Sequence, residues 1–290
     1  MKALLLGSTG MAGKALKKFL ESRKFSVTGI ARTKSDYDCD LTDENKLSNV
    51  LSMKKYDVII NSAALVNIDY CEENSLASWM INSKLVSVLA NWSNKKNIPL
   101  LHISTDHFYD YGDNNPHKEE DPICCINEYS RHKYAAEAFA LNSKNSLILR
   151  TSILGYRESG QGSLVQWAIS NLIKNKKIEL FYDAWTSSID VDSFADIAMR
   201  LFLDEGQRGV INVASSEVYS KEQIIRCLAD MLLINHDQCK SVSIKSYFLN
   251  RPNCLGLDVS KVEKILNMKM PSMQDVCLAL ISQLKLHSLV

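Results

Sequence analysis

Through the first half of the chain, short apolar runs alternate with stretches in which apolar residues recur every three to four positions. The runs are ALLLG (3–7), SVTGI (26–30), DVIIN (57–61), PLLHIS (99–104) and SLILR (146–150). A strand with one wet face alternates apolar and polar residues. These do not, and so they predict strands buried on both faces, as in a parallel sheet covered by helices. Between the runs, Ala12, Leu16, Phe19 and Leu20 repeat at helical spacing, as do Trp79, Val86, Leu89 and Ala90. Strands and helices in this order make βαβ units, and right-handed crossovers wind the helices onto both faces. The expected fold is α/β, a Rossmann-type doubly wound parallel sheet.

After Arg150 the texture changes. Loops such as GYRESGQGS (155–163) and FYDAWTSS (181–188) interrupt the pattern, and the strand candidates become shorter and more polar. This predicts a smaller C-terminal substrate domain over 153–184 and 207–290, beside a dinucleotide-binding domain over 1–152 to which 185–206 returns. Residues 191–206 form a helix pattern, with Phe194, Ile197, Ala198, Leu201 and Phe202 on one face and Gly206 as a stop. No repeat or Pro-rich linker separates the two domains, so interleaving is expected.

Composition narrows the partners. The 290 residues are 46% hydrophobic and 23% charged with a formal net charge of +1, the profile of an ordinary globular protein. Scattered basic residues give no footprint for nucleic acid or an anionic membrane. The N-terminal apolar run ends too early for a signal peptide, and no stretch is long enough to span a bilayer. Eight dispersed cysteines without C-x-x-C spacing imply free thiols in a reducing compartment, hence a cytoplasmic protein, and with six scattered histidines they imply no metal site.

Chemistry begins at GSTGMAG (7–13), which places Gly7, Gly10 and Gly13 between the first strand and its helix. Gly7 suits a tight turn, Gly10 a close approach of backbone to a pyrophosphate, and Gly13 close packing of helix on strand. Met11 and Ala12 open the helix whose N–H groups would face the phosphates. An acid after the second strand would mark NADH; Arg32 and Lys34 stand there instead and suit the 2′-phosphate of NADPH, with NADH as the less favoured cofactor. Asp40 and Leu41 follow where adenine would lie.

In open parallel sheets the ligand lies beyond the carboxyl ends of the strands. NSAA (61–64) and STDHFYD (104–110) end the third and fourth predicted strands, so Ala63 and Ala64 leave room for the dinucleotide and Thr105 offers a hydroxyl near the nicotinamide. Tyr129 and Lys133 then fall four apart on the predicted helix EYSRHKYAAEAFAL (128–141), on one face. Chance alone yields about one such pair in a chain of this composition; the order of glycine turn, Thr105 and pair is the stronger sign. A phenol titrates near pH 10, roughly, so it serves as an acid-base group only beside a cation, and Lys133 is placed to be that cation.

This constellation resembles the extended short-chain dehydrogenase/reductase superfamily, and within it the dTDP-4-dehydrorhamnose reductase-like branch. The resemblance runs from Met1 to about Leu266, through GSTGMAG, NSAALVNIDYCEE, STDHFYD, NEYSRHKYAAE, LRTSILG and RPNCLGLD (251–258). It implies reduction of a 4-keto nucleotide sugar, with hydride passing from nicotinamide to C4. Tyr129 would then be the proton donor, Lys133 its partner, and Thr105 the hydroxyl that polarises the ketone. Asn67 and Asp106 would flank the sugar, and a homodimer is compatible. Arg251, opening RPNCLGLD before Pro252, is the candidate for the sugar's diphosphate. The chain departs from the branch at His107, Phe108 and Tyr109, where Tyr-Val-Phe is usual, at Val66 to Asp69, and at Ile153. Two other functions stay open: a non-catalytic regulatory subunit of the methionine adenosyltransferase beta type, and a nucleotide-sugar epimerase or dehydratase. A dehydratase would carry Glu where His107 stands.

Overall fold

The computed structural model describes residues 1–111, 114–158, 162–246 and 251–289. By internal packing the chain forms two compact units. The first comprises Met1–Thr105, Asn127–Arg150 and Ala195–Ile211; the second comprises Asp106–Ile126, Thr151–Phe194 and Asn212–Val290. Residues 106–126, expected with the dinucleotide domain, therefore group with the second unit, and the returning segment is 195–211 rather than 185–206.

The first unit is built on a seven-stranded sheet. Its strands are β1 (Lys2–Leu6), β2 (Ser26–Ala31), β3 (Tyr37–Asp38), β4 (Val58–Asn61), β5 (Leu100–Ile103), β6 (Ser146–Arg150) and a last strand, Gly209–Asn212. The spatial order is Gly209–Asn212, β6, β5, β4, β1, β2, β3, and the pairings from β3 through β6 are parallel. The order reverses beside β1, which opens a crevice at the carboxyl ends of β1 and β4. Leu4, Leu5 and Leu6 are fully buried, as expected for a strand covered on both faces. Burial of each such leucine contributes roughly 1.5–3 kcal/mol.

The helices of this unit are α1 (Met11–Ser22), α2 (Glu44–Met53), α3 (Ile68–Glu73), α4 (Ser75–Trp79), α5 (Leu85–Lys96) and α6 (Glu128–Leu141). A wide π turn, Met80–Lys84, joins α4 to α5. It turns Asn82 inward, where Oδ1 accepts from Leu65 N at 2.9 Å and Nδ2 donates to Leu65 O at 2.9 Å. The loop after β4 is thereby held at its backbone.

Two strands of the sheet escape the hydrophobic pattern. β3 has two residues only, and Asp36 takes the adjoining N–H of Gly29 at 2.7 Å in place of a strand partner. Gly209–Asn212 follows Gly206, which looked like a terminus. The helix expected over 191–206 is regular over Val191–Met199 and continues as a π turn, Arg200–Asp204.

The second unit packs helices Leu164–Ile173, Lys221–Met231 and Met273–Leu286 around one apolar cluster that includes Ile169, Leu172, Ile225, Leu228 and Leu280. Short strands complete it: Trp185–Thr186 pairs antiparallel with Tyr219–Ser220 and parallel with Cys254–Leu255.

Candidate active site

α6 carries the Tyr-x-x-x-Lys pair, and its start is strongly fixed. Asn127 caps it, accepting from Ser130 N at 2.8 Å, while Ser130 returns the bond to Asn127 N in a capping box. Glu128 N donates to Glu72 at 2.6 Å, and Ser75 Oγ donates to Glu128 at 2.5 Å. Ser83 Oγ donates to the His132 carbonyl at 2.6 Å, and Trp79 meets the His132 ring edge-on at 5.5 Å. These contacts hold the helix from α3, α4 and the π turn, so the residues one turn apart on it have defined positions. Tyr129 packs with Ile68, Cys71 and Leu65 and is 7% exposed.

Lys133 is 1% exposed, and burial pushes its pKa down to about 7. Its Nζ donates to the Ile103 carbonyl at 2.6 Å and stands 3.3 Å from His102 Nε2. Helix α6 is thus tied to the end of β5, two residues before Thr105, which is itself buried. One turn further along, Glu137 opposes the downward shift of Lys133. Its carboxylate is held in turn by Arg150 at 2.8 Å and by Ser104 Oγ at 2.5 Å. Removing one partner of a buried pair of this kind leaves a costly uncompensated charge.

The glycine turn has the shape a dinucleotide requires. Gly7 lies at φ +76°, where only glycine is unstrained, and a Cβ there would sit 2.7 Å from Ala63 N. A Cβ on Gly13 would meet Gly7 O at 2.1 Å, so α1 could not pack as closely with any other residue. Gly10 is the N-cap of α1 without a side-chain cap, and the first turn, with Met11 and Ala12, holds no acid. The helix N-terminus therefore keeps its positive end for an incoming anion. Ala63 and Ala64 follow β4 beside Gly7, both half-buried.

The candidate cofactor-specificity residues divide. Arg32 and Lys34 are exposed after β2, and among the described residues no carboxylate lies within ion-pair distance of Arg32. Asp40 has other work: its carboxylate accepts from Thr42 N at 2.9 Å and Thr42 Oγ1 at 2.8 Å, and these bonds, with Arg32 nearby, hold its pKa below the usual range. The Leu41 side chain is buried in the apolar cluster of the first unit, so only its backbone could face a ligand. Asp36, which sequence reasoning passed over, is engaged by Gly29 N and by Lys17 at 3.2 Å.

Of the substrate candidates, Asn67 caps α3, accepting from Tyr70 N at 3.0 Å, so its oxygen is committed to the helix. Asp106, His107 and Arg251 all belong to the second unit. His107 is pushed down to about 3 by burial together with Lys221 and Arg251, so it is a neutral ring at physiological pH. The same fields reveal Lys221, a cation that sequence reasoning missed: Arg251 lowers its pKa and Asp106 raises it, under a larger lowering from burial. Nothing in the pattern SKEQ distinguishes Lys221 from a helix-surface lysine. A separate groove of about 780 Å³ in the second unit, lined by Pro116, Val218, Val259, Glu263 and Met270 among others, includes none of the predicted site residues.

Residues 1–286 match the RmlD substrate-binding domain family. The chain belongs to that family. It is 28% identical over 295 residues to the probable low-salt glycan biosynthesis reductase Agl14 of Haloferax volcanii, covering 97% of each chain. The solved structure of a hypothetical dTDP-4-dehydrorhamnose reductase from Sulfolobus tokodaii superposes with a TM-score of 0.84 at 28% identity, over 95% of this chain and 99% of that one. A further relative is methionine adenosyltransferase 2 subunit beta of Xenopus laevis, 24% identical over 91% of this chain and 82% of its own. Among the described residues no helix is long and apolar enough to cross a membrane.

Proposed function

We propose that this member of the family is an NADPH-dependent reductase of a 4-keto nucleotide sugar, of the dTDP-4-dehydrorhamnose type. The observation that carries the reading is the buried Lys133, bound to the Ile103 carbonyl at the end of β5 and one helical turn beyond Tyr129. A lysine held this way has no need to be there for stability; burying it is costly.

When bound, the dinucleotide supplies a hydride to the sugar's carbonyl carbon. Gly7, Gly10 and the opening turn of α1 receive the pyrophosphate, since their backbone approaches without a Cβ and the helix end is electropositive. Arg32 binds the adenosine 2′-phosphate, for which its guanidinium fork is suited. Thr105 donates a hydrogen bond to the ketone oxygen. Tyr129 transfers its phenolic proton to that oxygen as charge develops, leaving a phenolate that solvent later reprotonates. Lys133, one helical turn along from the phenol, sets how readily it gives up that proton. Arg251, with Lys221 near it, neutralises the sugar's diphosphate.

The test is turnover of a panel of 4-keto nucleotide sugars with NADPH and with NADH. Reduction by the native protein and its loss in Tyr129→Phe support the proposal. Kinship with the methionine adenosyltransferase subunit favours one other reading, a regulatory protein. A chain that turns over no keto sugar yet forms a stable complex with methionine adenosyltransferase would establish that reading instead.

A further inference from the structure

The hydrogen bonds behind Lys133 run in one direction, and that direction has a chemical consequence. A backbone N–H can only donate. The Ala63 N–H donates to Asn61 Oδ1 at 3.2 Å, which fixes the Asn61 amide and turns its Nδ2 toward His102 Nδ1, also at 3.2 Å. The parallel register pairs Asn61 with His102 on neighbouring strands, so the two side chains meet by construction of the sheet. Because Asn61 Nδ2 donates, His102 Nδ1 accepts, and the ring's proton lies on Nε2. That Nε2 stands 3.3 Å from Lys133 Nζ. An N–H facing an ammonium is a clash of donors, whereas an N–H facing a free amine finds a lone pair. Lys133 meanwhile gives one of its own hydrogens to the Ile103 carbonyl at 2.6 Å, a bond that either form can make.

We propose that His102 is a positioning residue that sets the charge of Lys133, its Nε2–H, aimed by Ala63 and Asn61, holding the lysine as the free amine in the unliganded protein. Burial acts in the same sense, since His102 and Asn61 are each 1% exposed and no water-like environment is at hand to favour an ammonium. Lys133 faces His102 from β5 and Glu137 one turn later on α6, with Arg150 of β6 and Ser104 engaging Glu137; Tyr129 lies one turn earlier on the same helix. Glu137, whose charge is shared with Arg150, and the Ile103 carbonyl favour the ammonium, while His102 and burial oppose it. The catalytic consequence rests on the function proposed above: beside a free amine, Tyr129 keeps its proton, and a protonated phenol is the acid that ketone reduction consumes.

The tautomer can be observed directly. In protein labelled with ¹⁵N-histidine, without ligand at pH 8, long-range ¹H–¹⁵N correlations should show His102 as a neutral ring protonated at Nε2. A ring protonated at Nδ1, or an imidazolium, would overturn the proposal. The lysine provides the second arm, through the Lys133 ¹³Cε shift titrated in native protein and in His102→Leu. Removing the opposing N–H should raise the Lys133 midpoint by about one pH unit, the size of one ordinary hydrogen bond that distinguishes two protonation states. A lowered midpoint would mean that Nε2 accepts from an ammonium, and the proposal fails. Neither arm reads turnover, so absence of reductase activity would sink the proposed function and not this assignment. Where a keto sugar is turned over, the acid limb of its kcat/KM profile should shift in His102→Leu in the same direction as the lysine midpoint.

Discussion

Lys133→Met should change how stability responds to pH, and the size of the effect follows from the site. Burial holds the Lys133 pKa at about 7 in the folded protein against an ordinary 10.5 in the unfolded chain. Below pH 7 both states carry the proton, and the full cost of the buried charge stands; at about 1.4 kcal/mol for each pH unit of difference it amounts to about 5 kcal/mol. Above pH 10.5 both states have lost the proton and the cost is gone. In between, the unfolded chain binds more protons than the folded one, so stability rises with pH. Integrated from pH 7 to 9, that rise is about 2 kcal/mol. Methionine fills a similar volume with no charge, and whatever it loses at the Ile103 carbonyl is independent of pH in this window. Urea unfolding of both proteins at half-unit steps from pH 7 to 9, without ligand, gives the difference directly. Titrating groups remote from Lys133 are shared and cancel, and His102, lowered well below its ordinary 6.5 chiefly by burial, stays neutral across this window. The native protein should gain about 2 kcal/mol relative to Lys133→Met across the series. Parallel curves would show that Lys133 is an ordinary ammonium in the folded state and would refute the burial argument.

Three further outcomes are expected. Tyr129→Phe should lower turnover by about 10² to 10⁴ while circular dichroism and dinucleotide binding stay as in the native protein; unchanged turnover would remove Tyr129 from the chemistry. Arg32→Ala should raise the KM for NADPH more than that for NADH, because only the former has a 2′-phosphate to form a charge-assisted hydrogen bond; equal effects would count against Arg32 as the discriminator. Arg251→Ala should raise the sugar-nucleotide KM strongly with little change in NADPH affinity or melting temperature, whereas normal substrate affinity would mark Arg251 as a residue that only holds its loop.

The parts of this protein that could be read from its sequence are those in which one residue type is demanded by local geometry. Glycines at 7, 10 and 13 mark a turn in which a Cβ would strike backbone, and five apolar runs mark strands with two buried faces. Helix α6 came out residue for residue, because Asn127 and Ser130 close its start in a capping box and alanines, strong helix formers, fill its second half, although the face it buries is largely polar. Legibility ends where a side chain's role is assigned by its neighbours in space. Leu41 was expected beside adenine, and only the fold shows that its side chain lies in the core next to the turn made by Asp40 and Thr42. Asn67 looked like a sugar contact and spends its oxygen on a helix end. Asn61 and His102, 41 residues apart, became a pair only through the register of β4 against β5. The same holds for the charge of Lys133. Its spacing from Tyr129 is written in the sequence, but what that lysine can do depends on a proton's position on His102, which is set by the backbone N–H of Ala63. Sequence therefore names the proposed acid and its neighbour, while the sheet decides in which protonation state the neighbour waits.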